Sequence, residues 1–225
     1  MSGGPQRLLD VAGLQALLDE LRDRGYDVFG PQVRDGVITN GRLGSVDELP
    51  IGWTDEQAGG HYRLEPRDDR ARFGYAVGPH SWKEILHPPK VKVWTISRRS
   101  AGPASAADGA GPTAAGGEVA VSMHVPDRPR RAFVGVRPCE LAAIAKQDRV
   151  LLDGPHPDPT YQANRADVFI VGVACGDPAD TCFCPSMGTG PAVGPGADLT
   201  MTELVGADGD GEPVYAVRAT TGLGA

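Results

Sequence analysis

The longest apolar run without alternation is DVFIVGVA, residues 167 to 174, and a run of this kind reads as a strand buried on both faces of a parallel sheet. A shorter one, FVGV at 133 to 136, is closed by Arg137-Pro138, because the residue before a proline is held in extended geometry. Between the two runs Leu141, Ala142, Ile144 and Ala145 recur at helical period beside Glu140, Lys146, Gln147 and Asp148, which predicts a helix with one apolar face. A strand, helix, strand unit with a right-handed crossover brings the carboxyl ends of its strands to one edge of the sheet.

The same reading covers the rest of the chain. Leu8, Leu9, Val11, Leu14, Leu17, Leu18 and Leu21 share a broad face and predict a helix over Gln6 to Arg24, with Gly25 as its C-cap. Short strands are expected at Tyr26 to Val33, Gly36 to Thr39, His61 to Leu64 and Phe73 to Ala76, with turns at Asn40-Gly41 and Gly59-Gly60. Ser81 and Glu84 have the spacing of a capping box for a short helix that Pro88-Pro89 stops. KVKVWTI at 90 to 96 and EVAVSMHV at 118 to 125 alternate as half-buried strands do, and further strands are expected at 198 to 204 and 213 to 218. Residues 98 to 118, rich in Ala, Gly, Pro and Ser, have too little apolar surface to offset their ordering entropy and read as a flexible loop. The expected fold is mixed α/β, a Rossmann-like parallel β-α-β core with additional antiparallel strands. A helix and short-strand region (1–97) and an α/β region with the cysteines (119–225) flank the loop and pack as one domain.

Composition narrows the function classes. With 225 residues and 40% hydrophobic content the chain can build a core, and 31 glycines and 20 prolines predict short elements and much loop. A net charge of -7, with no basic block beyond Arg128 to Arg131, argues against nucleic acid and anionic membranes as partners. No signal core and no membrane-length apolar run is visible, so the expected compartment is the cytoplasm, where clustered cysteines mean a metal or redox chemistry more often than a disulfide.

All four cysteines lie between Phe133 and Pro191: Cys139 opens the predicted helix, Cys175 follows the strand at 167 to 174, and Cys182 and Cys184 sit in a Gly/Pro-rich loop. The β-α-β topology would make neighbours of Cys139 and Cys175, at the strand ends where open α/β sheets place their ligands. Four thiolates without a water position describe a [4Fe–4S] cluster or a closed zinc site. Zinc usually takes paired C-x2-4-C knuckles, whereas Cys182-Phe183-Cys184 is tight for two ligands of one small ion, so the spacing favours the cluster. Gly188 and Gly190 would let the backbone approach it. Two alternatives stay open: a zinc-stabilised assembly module, and a thiol-disulfide redox protein using Cys182 and Cys184. The loop from Met187 to Gly190 lacks the Lys-Ser/Thr of a nucleotide phosphate loop, and His80 and His87 lack a third ligand.

The segments GVRPCELAAI (135 to 144) and CGDPADTCFCPSMGTGP (175 to 191), preceded by SWKEILHPP (81 to 89), resemble the iron-sulfur beta subunit of cytoplasmic NAD(P)-linked nickel-iron hydrogenases, the sulfhydrogenases. The A subunit of anaerobic sulfite reductase is similar. The resemblance implies a non-catalytic electron-transfer subunit in which Cys139, Cys175, Cys182 and Cys184 are the cysteines of the family motifs. Its partners would be a subunit carrying FAD and NAD(P) and a hydrogenase or sulfite-reductase catalytic subunit. Family members continue into a domain with two ferredoxin-like C-x2-C-x2-C-x3-C-P motifs, which this sequence lacks. The chain is therefore expected to be the amino-terminal portion of a longer subunit.

Overall fold

The computed structural model describes residues 4–98, 119–124, 127–206 and 211–224. A seven-stranded sheet carries the fold. Its strands are β1 (Arg7–Leu9), β2 (Asp27–Arg34), β3 (Val37–Arg42), β8 (Arg131–Val136), β9 (Val168–Val173), β10 (Leu199–Leu204) and β11 (Val214–Ala219), in the order β1-β11-β10-β9-β8-β2-β3. Between β3 and β8 in the chain lie two separate ribbons, β4 (Trp53–Ala58) with β5 (His61–Pro66) and β6 (Trp94–Arg98) with β7 (Val119–Met123). The helices are α1 (Val11–Asp23), α2 (Lys83–Leu86), α3 (Pro138–Leu151) and α4 (Pro159–Arg165).

The pairings of β2 with β8, β8 with β9 and β9 with β10 are parallel, and the remaining three are antiparallel. The fold is thus mixed α/β. The parallel pair β8 and β9 is joined through α3 and α4, so both strands end on the same edge. Phe29 pairs with Phe133 in the same sheet, which joins the chain on either side of residues 98–118 in one layer.

Each sheet face is covered by its own helices. On one side Leu14, Leu18 and Leu21 of α1 pack on Val134, Val171, Val173, Met201 and Tyr215. On the other, Leu141 and Ile144 of α3 and Tyr161 of α4 cover Phe133, Val136 and Ile170, with Trp82 and Leu86 beside them. Burying a side chain of this size contributes about 1.5–3 kcal/mol, so two such layers account for a stable core. Trp82, 1% exposed, stacks on Phe133 with ring centroids 4.5 Å apart and planes 24° from parallel. In the ribbon of β6 and β7, by contrast, Trp94, Ile96, Val119, Val121 and Met123 all face solvent. Among the described residues no helix is long and apolar enough to cross a membrane.

Several local expectations are corrected. The helix predicted from Gln6 begins only at Val11, because the Asp10 carboxylate accepts from Gly13 N–H (2.7 Å) and caps it there, while Arg7 to Leu9 pair with β11. Asn40-Gly41 lies inside β3, and the turn before it is Asp35-Gly36. Trp53–Ala58 is a strand that sequence periodicity missed, since its middle is polar. Phe73 to Ala76 is buried without being a strand. The capping box at Ser81 is absent: Ser81 Oγ accepts from Lys83 N–H (3.2 Å), while Glu84 turns to His80 Nδ1 (3.1 Å). The predicted loop at 98–118 lies outside the described residues except for Arg98, which ends β6.

Candidate metal centre

The carboxyl ends of β8, β9 and β10 form one edge of the sheet, and the chain folds over that edge twice. One strap is residues 71 to 76. Glu203, at the end of β10, fixes it by accepting from the backbone N–H groups of Arg72 and Phe73, both at 2.8 Å. Asp55 of β4 accepts from Ala76 N–H (2.7 Å). The other strap is the loop from Cys175 to Pro191. Arg67 joins the two, donating to the Gly74 carbonyl and to Asp177, each at 3.0 Å, while its Nε and Nη2 hold Asp69.

Between the straps and α3 lies a cavity of about 500 Å3 whose wall is mostly apolar. All four cysteines line it. Cys139 arrives in the first turn of α3, Cys175 two residues past β9, and Cys182 and Cys184 from the second strap. None is in a disulfide. The second strap is held by its own backbone. Cys175 N–H donates to the Pro191 carbonyl (3.0 Å), Cys182 N–H to Ala179 (2.9 Å), and the Cys184 carbonyl accepts from Met187 (3.2 Å) and Thr189 (3.0 Å).

Gly190 lies against one of the thiols. A Cβ at that position would meet Cys184 Sγ at 3.1 Å and Pro138 Cβ at 3.4 Å, so only a glycine fits between them without displacing a thiol. Gly188 does not: its φ of +63° suits glycine, but a Cβ there would meet nothing within 4 Å. His80 and His87 are apart from the cavity's cysteines, His80 beside Glu84 and His87 3.7 Å from Asp158.

Two of the cavity's thiols are held toward their uncharged form. Burial pushes the Cys139 thiol up to about 11, helped by Glu140 and by the neighbouring thiols of Cys184 and Cys175. Burial also raises Cys175, with the Arg137 guanidinium opposing and Cys182 and Cys184 adding to the rise. Neither is an activated nucleophile, which would need the opposite shift. The carboxyl of Glu140 is pushed up to about 7 by burial, against the hydrogen bond it accepts from Arg137 N–H (2.8 Å). Glu203 is raised by burial as well.

Arg137 is the residue that sequence reasoning misses, since in the sequence it marks only the end of a strand. It is 2% exposed and lines the cavity. Its Nη1 donates to the Ala174 carbonyl (2.8 Å) and its Nη2 to the carbonyls of Phe73 and Tyr75, the latter at 2.9 Å. Its Nε is buried with no partner. A lone arginine ending an all-apolar strand, before Pro-Cys, was the available signal, because a charge in that position must be buried and held by something.

The donor chemistry, four thiols, is that preferred by a soft metal. Around one tetrahedral zinc ion the sulfurs would stand about 3.8 Å apart. Among the described residues no three His, Cys, Asp or Glu side chains are gathered closely enough to hold one metal ion. The cavity has room for a larger centre.

Over 70 residues, 31% of its length, the chain is 43% identical to a protein described as sulfhydrogenase 2 subunit beta of Pyrococcus furiosus. The matched stretch spans 20% of that relative. No protein-family model matches the chain, and no solved structure matches it.

Proposed function

We propose that this chain is an electron-transfer subunit of a multi-subunit oxidoreductase of the hydrogenase or sulfite-reductase type, and that Cys139, Cys175, Cys182 and Cys184 hold one [4Fe–4S] cluster. The observation that carries the reading is the opening of four free thiols, from three separate stretches of chain, on a single cavity. The similarity to a sulfhydrogenase beta subunit supports it. A cluster so bound takes up and returns single electrons without making or breaking a substrate bond.

The chain's own residues fix and enclose that centre. The parallel strands act as a Rossmann-like scaffold that presents Cys139 and Cys175 at one edge. Gly190 keeps the strap close to Cys184, and Gly188 allows the turn that precedes it. Residues such as Ala76, Val77, Ala142 and Ala143 supply an apolar wall, and the buried Arg137 supplies a positive charge to a site that gains a negative one on loading. In the complex, electrons pass between a partner carrying FAD and NAD(P) and a catalytic partner, in the cytoplasm.

Anaerobic expression followed by iron, sulfide and zinc analysis tests this. The expected product is brown, with about four irons and four acid-labile sulfides per chain and a rhombic electron paramagnetic resonance signal after dithionite reduction. Replacing any of the four cysteines by serine should lower the iron content. One zinc per chain and no sulfide would establish the assembly-module reading instead. That second reading is the less well supported, because among the described residues no three candidate ligands are gathered to hold one metal ion.

A further inference from the structure

We infer that Arg137 is a positioning and potential-setting residue of this centre, holding two of its walls in place while its guanidinium charge favours the reduced state. The inference rests on the cluster reading and adds to it a residue that is not one of the ligands.

Positioning follows from its contacts. Arg137 is the N-cap of α3, two residues before Cys139, and its Nη1 grips the Ala174 carbonyl immediately before Cys175. Through Nη2 it also holds the carbonyls of Phe73 and Tyr75 in the first strap. One side chain thus ties the strand end that carries Cys139, the strand end that carries Cys175, and the strap that closes the cavity.

The charge argument is separate. All three acceptors of Arg137 are neutral carbonyls. Glu140 and Glu203 feel its charge, but among the described residues neither carboxylate accepts a hydrogen bond from the guanidinium. A buried donor without an acceptor is costly, and the Arg137 Nε is such a donor on the wall of the cavity that the thiols line. An anionic centre there offsets that cost. Each one-electron reduction places a further negative charge in the cavity, so a fixed cation beside it stabilises the reduced state more than the oxidised one and raises the reduction potential.

The test compares the cluster-loaded wild-type chain with Arg137→Gln and Arg137→Lys, by dithionite titration followed by electron paramagnetic resonance. Arg137→Gln should shift the midpoint potential to a more negative value, and Arg137→Lys, which keeps a cation, should restore most of that shift. Equal potentials in wild type and Arg137→Gln overturn the inference while leaving the cluster reading intact. A wild-type chain that takes up no iron and sulfide overturns the cluster reading itself. Should Arg137→Gln fail to fold, the wild type still decides. With arginine side chains alone labelled with nitrogen-15, pulsed resonance of the reduced cluster should show a nitrogen-15 coupling that persists in Arg67→Lys, and its absence defeats the inference.

Discussion

Gly190→Ala is the sharpest test of whether the second strap is shaped around a thiol. The new methyl would stand 3.1 Å from Cys184 Sγ, 3.4 Å from Cys184 Cβ and 3.4 Å from Pro138 Cβ. The two carbon contacts are ordinary van der Waals approaches, but the one to Cys184 Sγ is tight by a few tenths of an ångström, so that thiol is what the methyl crowds. Pro138 is fixed in the first turn of α3, and Cys184 must therefore give way. A side chain turned ~30° from its rotamer costs about 0.5–1.5 kcal/mol, and overpacking a tight site typically costs about 1–3. A loss near 2 kcal/mol would lower the Tm of a chain of this length by about 4–8 °C. If Cys184 holds the proposed cluster, the larger effect is expected there: displacing its sulfur should weaken iron retention about 10-fold or more, the range seen when the support of a ligand is lost. Iron content after anaerobic loading, and the rate of iron loss to a chelator, measure it. Gly188→Ala is the matched control. Its φ of +63° makes any side chain strained by about 1–2 kcal/mol, yet the methyl would point into open space, so stability should fall while iron retention stays at the wild-type level. Wild-type chelator resistance in Gly190→Ala, or equal iron loss in the two variants, would refute the reasoning.

Trp82→Ala removes the ring stacked on Phe133 in the layer under α3 and should cost about 3–5 kcal/mol, read as a lower denaturation midpoint at unchanged m. Asp198→Ala should cost about 1–3 kcal/mol, because its carboxylate accepts from Ile170 N–H (2.9 Å) and the Thr221 hydroxyl (2.7 Å) and the amide would be left buried without an acceptor; Asp198→Asn should recover part of the loss. Asp69 governs acid stability: the Arg67 guanidinium holds its carboxyl below the ordinary 3.8. The stabilisation it contributes is fully present above that ordinary value and is lost as pH falls through the lowered folded one. Denaturation midpoints across the acid range should therefore drop more steeply for wild type than for Asp69→Asn, and parallel profiles would count against the pair.

What could be read from the sequence was set by how each stretch is buried. DVFIVGVA and FVGV are apolar throughout because helices cover both faces of their strands, and they were found almost to the residue. The helix behind Cys139 was legible for the same reason, since Leu141 and Ile144 pack on the sheet. Trp53–Ala58 was not, because it pairs only with β5 in a two-stranded ribbon and keeps polar residues on both faces. Phe73 to Ala76 imitates a strand in composition, yet its carbonyls serve Arg137 and its amides serve Glu203 and Asp55, partners 130 and 21 residues away for Phe73 and Ala76 that no local pattern announces. At the site the cysteine types and the turn positions were visible in the sequence. The gripping role of Arg137 and the closeness of Gly190 to Cys184 were not, since both depend on how the two straps cross.

Arg137, Glu203 and Arg67 close the walls of the cavity through contacts that involve no metal. In a zinc finger the ligands lie on one short peptide and the ion drives folding. Here the pairing of β8 with β9 is what brings Cys139 and Cys175 to one edge, so a cluster of the proposed kind would be delivered to a chain that has already folded. On that reading, iron starvation should leave a folded chain that can be filled later, instead of an unfolded one destined for degradation.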